Sequence, residues 1–342
     1  MIENRNDSAL QKLRHRMRSL VWSASWVALS ILFVFAILLQ WAGDSTWLMT
    51  LLTFGPRWTA LLLLAPLAGG ALLFCRRAWL PLLLAAGIAV GPIMGFCVPW
   101  RSVAQLEPAG TFILRVVSFN VGGGIDTAGM IRFLRETHAD VIAFQEWPGL
   151  PFPEKIERGW FSVQHGELLV ASRFPITNMS VSPNATARRR APAIGCDIET
   201  PGGKVHVQCL HLYTLRNGLD AVISQKWKGA PELERVTAIR NEESKISADF
   251  ARTSDAPAIV VGDFNMTCDS TIFDRDWKDW HDAFSLRGFG LGHTFSSRKI
   301  GLRIDHVLVS STSWHVRSCR VGPDLHGQHR PLVAELVLLG HD

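Results

Sequence analysis

In AIVVGDFNMTCDS, residues 258–270, four apolar residues lead into a glycine, and an aspartate and an asparagine follow one residue apart. An unbroken apolar run this short has the pattern of a strand buried on both faces. Asp263 and Asn265 therefore stand where a buried strand runs out. Both side chains favour turns and helix caps, so the pair alone marks either a turn or the rim of a site.

Outward from this stretch the same arrangement repeats. VVSFNVGGG carries Asn120 ahead of its three glycines, DVIAFQEW carries Glu146 near its end, and VHVQCLHLYT carries His211. GLRIDHVLVS sets Asp305 at the start of an apolar run, and GQHRPLVAEL sets His329 just before the last one. Strands are expected over Ile113–Phe119, Val141–Phe144, Leu168–Ser172, Ile194–Ile198, Val205–Leu212, Ala258–Val261, Ile304–Val309 and Leu332–Leu338. Helices are expected over Ala128–His138 and Leu233–Arg252, the second with Val236, Ile239, Ile246 and Phe250 on one face. Many strands and few helices predict two packed sheets with helices outside, an α/β (α+β) sandwich. Loops at the strand ends of such a fold gather polar groups on one rim without breaking the core.

The 342-residue chain changes character near Trp100. Leu20 to about Ala42 is uncharged and exceeds the roughly 20 residues that cross a bilayer. Further apolar runs near residues 58–75 and 78–100 are parted by Arg76 and Arg77. A cleavable signal peptide has a shorter apolar core and no spans behind it, so about three retained membrane helices are expected. The chain then divides into a basic N-terminus over 1–19, a membrane region over 20–100, a linker over 101–112 and a soluble unit over 113–342. Lys12, Arg14, Arg16 and Arg18 precede the first span, whereas the first connection holds only Asp44 and Arg57. The positive-inside rule places the N-terminus and the Arg76–Arg77 connection in the cytoplasm. Three spans then deliver the soluble unit to the extracytoplasmic, periplasmic face of the inner membrane; one span fewer would return it to the cytoplasm.

The net charge of +5 belongs to residues 1–100. Residues 1–100 hold eight of the 35 Lys and Arg and three of the 30 Asp and Glu, which leaves 27 of each sign in the remainder. The soluble unit is formally neutral, and its composition supplies no general polyanion-binding surface. The cysteines show no zinc-type clustering. In AIGCDIETPGGKVHVQCLHL a two-residue turn at Gly202-Gly203 pairs Thr200 with Val205 and sets Cys196 opposite Cys209. That register permits a disulfide; two unbridged core thiols are the other reading.

Carboxylates, amides and two histidines gathered on one rim suit a hard cation and an oxyanion, because Mg²⁺ takes oxygen ligands and keeps several waters. The order of these motifs resembles the endonuclease/exonuclease/phosphatase superfamily, which includes DNase I-like nucleases, apurinic endonucleases, inositol-polyphosphate phosphatases and neutral sphingomyelinases. VVGDFN carries the resemblance most specifically, followed by RIDHVLVS and HRPLVAEL; SFNV, AFQE and WHDAF…GHTF fall in the expected order. The resemblance spans about Phe112 to Leu338. It implies a four-layered DNase I-like sandwich of two mixed sheets flanked by helices, with the site at one rim. It also implies hydrolysis of a phosphodiester or phosphomonoester by in-line attack of water, assisted by Mg²⁺ or Mn²⁺.

By the same resemblance, Glu146 matches the metal-binding glutamate and Asn120 the asparagine that helps hold metal or phosphate. Asp263 matches the residue that orients or deprotonates water, and Asn265 the donor to a phosphate oxygen. His329 matches the histidine that stabilises the pentacovalent transition state, Asp305 the carboxylate that orients it, and His211 a histidine near the leaving group. Two positions depart from the pattern. Gln328 stands where many members have aspartate before the last histidine, and Gly122 where some nucleases have an acidic residue. Both remove negative charge, so weak metal binding is expected. The substrate stays open between nucleic acid and a lipid headgroup beside the bilayer, and two further readings stand: an extracytoplasmic nuclease acting on DNA, and a non-catalytic membrane-tethered binding domain. The cluster ARRR, residues 187–190, reads either as a basic patch or as a solvated loop.

Overall fold

The computed structural model describes residues 3–100, 112–124, 126–149, 159–186, 190–297 and 300–339, with side chains from residue 10 onward. The linker expected over 101–112 lies outside the described residues except for Phe112, as does the 187–190 cluster except for Arg190.

Five helices come first: α1 (Glu3–Ala42), α2 (Trp47–Phe54), α3 (Thr59–Leu62), α4 (Ala65–Phe74) and α5 (Trp79–Ile88). Helix α1 runs unbroken from Glu3 through Arg18 into the apolar stretch. Leu10–Ala42 and Arg76–Ile93 are each long and apolar enough to cross a membrane, and Trp47–Phe54 with Thr59–Phe74 is so only as a pair bent by 81°, either a broken span or a re-entrant loop. The last segment is shorter than the expected 78–100. It ends in a π-turn at Ala89–Ile93 containing Pro92, whose missing N–H breaks the ladder. Cys97 then pairs with Gly290 of the soluble unit.

The remainder alternates strands and helices: β1 (Ile113–Asn120), α6 (Thr127–Thr137), β2 (Val141–Gln145), β3 (Phe161–His165), β4 (Leu168–Ser172), β5 (Ile176–Val181), β6 (Ala193–Thr200) and β7 (Gly203–His211). Then follow α7 (Arg216–Gln225), α8 (Ala230–Ala251), β8 (Ala258–Asp263), α9 (Thr271–Trp277), β9 (Trp280–Asp282) and α10 (Ala283–Arg287). The chain closes with β10 (Phe295–Ser297), β11 (Ile300–Leu302), β12 (Asp305–Ser310), β13 (Trp314–Val321) and β14 (Leu332–Leu338).

Two six-stranded mixed sheets result, ordered β13-β14-β1-β2-β4-β3 and β5-β6-β7-β8-β12-β9, with a separate β10–β11 hairpin. Alternation along β1 shows how the layers form. Leu114 and Val116 join the central core, with Val207 and Val261 of the facing sheet. Val117 and Phe119 pack on the other side with Met130 and Phe133 of α6. Val260 and Leu308 pack on the far face of the second sheet with Ala248 of α8 and Ile272 of α9. The order helix, sheet, sheet, helix is the expected four-layered sandwich.

The expected β6–β7 register is corrected by two residues. Thr200 pairs with Gly203 around a Pro201-Gly202 turn, so Cys196 lies opposite Val207 and Cys209 opposite Ile194. Both thiols are free and buried in the central core. A two-residue slip keeps every side chain on its own face, which is why alternation alone did not detect it.

Candidate active site

Strand register brings the polar groups to one rim. Asn120 pairs with Gln145 across parallel β1 and β2, so Asn120 and the following Glu146 leave the sheet together. His211 pairs with Asp263 across parallel β7 and β8, and Asp305 pairs with Asp263 across antiparallel β12. His329 bridges Phe295 and enters β14, which runs antiparallel to β1 and so begins beside the end of β1. Gly262 lets β8 close on β7, because a Cβ there would lie 2.0 Å from the Leu210 carbonyl oxygen, at a φ of +146°. Glu146 and Asn265 have φ of +54° and +49°, a left-handed backbone that is costly outside glycine and concentrates at functional sites.

Asp263 is the centre of the arrangement and is 1% exposed. Its Oδ2 accepts from Asn120 Nδ2 at 3.0 Å and lies 3.7 Å from both His211 Nε2 and His329 Nε2. Its Oδ1 accepts from the backbone N–H of Asn265 at 2.8 Å. The same Asn120 Nδ2 donates to Glu146 Oε1 at 3.0 Å, while Asn120 Oδ1 accepts from the Gly122 N–H at 2.9 Å. Asn265 Nδ2 donates one hydrogen to the Leu212 carbonyl at 2.9 Å and keeps a second N–H. Glu146 and His329 thus stand on one side of the sandwich, both beside Asp263.

Each histidine is fixed through its Nδ1. His329 Nδ1 meets Asp305 Oδ2 at 2.9 Å, and His211 Nδ1 meets Glu167 Oε1 at 2.6 Å. Burial works against charge on His329, but the Asp305 and Asp263 carboxylates prevail and push it up to about 9. His211 is also raised, burial being outweighed by the Glu167 hydrogen bond and the Asp263 charge. Burial and the Asp305 carboxylate push Asp263 up, and the two histidines pull it back. An imidazolium and two carboxylates in a site shielded from water can hold phosphate oxygens and take a proton from water.

The residues fit a divalent cation at Glu146 better than at the buried aspartates. Asp263, Asp305 and His329 place their ligand atoms within 4.8 Å of one another, but the two carboxylates push His329 up to about 9, which favours an imidazolium there over a metal ligand. Glu146 is 44% exposed, and among the described residues only His211, at 3.9 Å, is a basic group within ion-pair range of it. Its Oε2 occupies the space above Gly122, where a Cβ would come within 1.9 Å. That explains the glycine at 122: an acidic side chain there would displace Glu146. Gln328, the other departure, packs on Gly123 and accepts from Arg216 Nη2 at 2.5 Å.

The sequence reading missed Glu167, Arg190 and Arg216. Glu167 also pairs with Arg190, whose Nη2 donates to the His211 carbonyl at 2.8 Å. Burial alone would raise the Glu167 carboxyl; His211 and Arg190 reverse this and hold it at about 2. In sequence, Glu167 sits in the polar turn HGE, which carries no signal. Arg190 closes ARRR, where only a cluster or a loop was legible.

The profile of the endonuclease/exonuclease/phosphatase family matches residues 117–329. A comparison with curated proteins returned no match. Among solved structures, an endonuclease/exonuclease/phosphatase family protein from Bacteroides thetaiotaomicron superposes with a TM-score of 0.50 at 17% identity, over 68% of this chain and 100% of that one. The 2',3'-cyclic phosphatase ANGEL2, solved with adenosine-2',3'-vanadate, gives 0.51 at 12% identity over 68% and 97%. A humanized TDP2 from D. rerio gives 0.50 at 17% identity over 66% and 98%. These similarities establish the fold, and the profile, which spans more than half of the chain, establishes the family. The chain belongs to the endonuclease/exonuclease/phosphatase family and is a metal-dependent phosphoric ester hydrolase.

Proposed function

We propose that the protein is a membrane-anchored phosphodiesterase whose site is built on Asp263, His329, Asp305, His211, Asn265, Glu146 and Asn120. The observation that carries this reading is the position of the Asp263 carboxylate, 3.7 Å from two histidine Nε2 atoms and 3.0 Å from an amide N–H. Asp263 orients and deprotonates the attacking water. The His329 imidazolium, aligned by Asp305, neutralises charge developing on a phosphate oxygen, and the second N–H of Asn265 donates to another. His211, aligned by Glu167 with its Nε2 3.7 Å from the same carboxylate oxygen, serves the leaving group. Glu146 with Asn120 holds Mg²⁺ or Mn²⁺, which supplies Lewis-acid polarisation of the phosphoryl oxygen when bound.

The anchor is supported by the long apolar helix and by outward-facing Val27, Ile31, Leu72, Leu73 and Leu83, each more than half exposed. A multi-pass arrangement with the site outside the cytoplasm is supported by which loops meet. Arg57 of the first connection donates to the Ile93 carbonyl at 3.1 Å and pairs with Asp269 of the soluble unit at 2.6 Å. These contacts bring Arg57 and the end of the last apolar segment beside the soluble unit, and the positive-inside rule favours the cytoplasm for Arg76 and Arg77. A bilayer-borne enzyme with a neutral soluble unit favours a membrane-proximal phosphodiester over DNA.

The test is hydrolysis by the full chain in detergent, with Mg²⁺ or Mn²⁺ and with EDTA. Bis(4-nitrophenyl) phosphate, phospholipid vesicles and plasmid DNA are the three substrates. EDTA-sensitive turnover of the diester and the lipid is expected, with DNA slower. Turnover of DNA alone would replace this reading by a surface nuclease, and turnover unaffected by EDTA would refute the metal.

A further inference from the structure

The first connection of the membrane region reaches into the site. Asp44, immediately after α1, and Arg240 of α8 form an ion pair at 3.1 Å with both side chains 0% exposed. Arg240 Nη1 donates to the Asn265 carbonyl at 2.6 Å, and its guanidinium lies over the Phe54 ring of α2, 5.4 Å from the centroid. Asp44 also accepts from Ser270 Oγ, the N-cap of α9. Thus both ends of the loop running from Asp263 to α9 are tied to residue 44. Arg57 adds a second tie, pairing with Asp269 at 2.6 Å and approaching Thr267 Oγ1 at 3.4 Å.

We infer that Asp44 is a positioning residue of the hydrolase site: through Arg240 it fixes Asn265, so the membrane region is a working part of the catalytic unit as well as its tether. The inference rests on the proposed role of Asn265. A buried ion pair is weak evidence of stabilisation by itself, since an apolar pair of similar volume often does as well. Its distinctive contribution is geometric. Asn265 holds a left-handed backbone at φ +49°, and its N–H and side chain serve Asp263 and the Leu212 carbonyl. Its own carbonyl is the remaining handle, and Arg240 holds it. A charged guanidinium stays beside that carbonyl in a dry interior because Asp44 compensates it. Without residue 44, Arg240 would be a buried charge that has lost its ion-pair partner among the described residues, next to a catalytic loop. A fragment beginning after the membrane region therefore lacks part of its site.

The test uses the full chain in detergent. Asp44→Asn leaves Arg240 uncompensated and lowers Tm. In Asp44→Asn with Arg240→Met no charge is stranded, and Tm recovers. A purely structural pair predicts that activity recovers with it. We expect instead that kcat on bis(4-nitrophenyl) phosphate with Mn²⁺ stays down about tenfold or more, with KM within about twofold. Amide exchange across 263–270 should remain accelerated. Wild-type kcat in a double variant of restored Tm overturns the inference. Should the double variant fail to fold, Arg240→Lys keeps a cation beside Asp44 without the planar fork that spans both partners. The same loss of kcat is expected there, and wild-type kcat overturns the inference equally. If the wild-type chain hydrolyses no ester at all, the site reading has failed, and exchange of 263–270 alone decides the link: wild-type protection in the variants sinks it.

Discussion

Asp305→Asn removes the negative charge 2.9 Å from His329 Nδ1 and keeps an oxygen in its place. His329 is held at about 9, against roughly 6.5 for an ordinary histidine. A gap of about 2.5 pH units corresponds to roughly 3 kcal/mol in favour of the imidazolium. Burial opposes that charge, and of the two carboxylates that overcome it Asp305 contributes more. Losing an opposite charge at this distance lowers a pKa by roughly 1–3 units. On the proposed role of His329 as a cation, kcat/KM should fall as pH rises through about 9 in the wild type and roughly 1–2 pH units earlier in the variant. The stability linkage has the same sign. A folded pKa above the unfolded one gives stabilisation that is fully present below pH roughly 6.5 and lost as pH rises through about 9. The assay is kcat/KM on bis(4-nitrophenyl) phosphate with Mg²⁺ from pH 6 to 10, with Tm in EDTA over the same range. An alkaline limb at the same pH in both proteins would refute the reasoning, since the charge controlling it would then lie elsewhere.

Gly122→Ala puts a Cβ 1.9 Å from Glu146 Oε2, so Mn²⁺ affinity should drop about tenfold by titration while Tm changes little. Glu167→Gln removes the negative charge 2.6 Å from His211 Nδ1 and beside Arg190; kcat should fall roughly tenfold with KM within a factor of about two, and an unchanged kcat would remove His211 from the mechanism. Alkylation of the unfolded, unreduced chain should add six adducts, one for each free cysteine, whereas four would restore a disulfide.

The strands legible in the sequence are those whose apolar runs are buried on both faces. Leu168–Ser172 and Leu332–Leu338 have the expected bounds, and β8 continues two residues beyond Val261 because Gly262 and Asp263 still pair with β12. Exposed edges were not legible: β3 and β5 expose most of their residues, so neither carries a core pattern. β13 buries Trp314, Val316 and Cys319, its period of two broken by the bulge between Val316 and Ser318, so WHVRSCRV carries no continuous alternation to read. All seven expected site residues gather at one rim because each adjoins a strand whose register is set by burial. Glu167, Arg190 and Asp44 escaped because their partners are distant in sequence and their flanks are polar turns or a helix end. Charge separation between the two halves of the chain read Asp44 and Arg57 only as weak topology signals, yet Asp44 carries a buried ion pair and Arg57 a half-buried one to the soluble unit.

The central claim is that Asp263 stands at the reacting centre, between two histidines and an amide. Single-turnover hydrolysis of bis(4-nitrophenyl) phosphate by the full chain and by Asp263→Asn, both saturated with Mn²⁺ and both checked for Tm, tests it directly. A loss of roughly 10³-fold or more with Tm unchanged or raised is predicted, because the substitution removes a general base and a buried negative charge together. A variant that folds and turns over within about tenfold of the wild type would contradict the claim, since general-base catalysis contributes at least ~10²-fold.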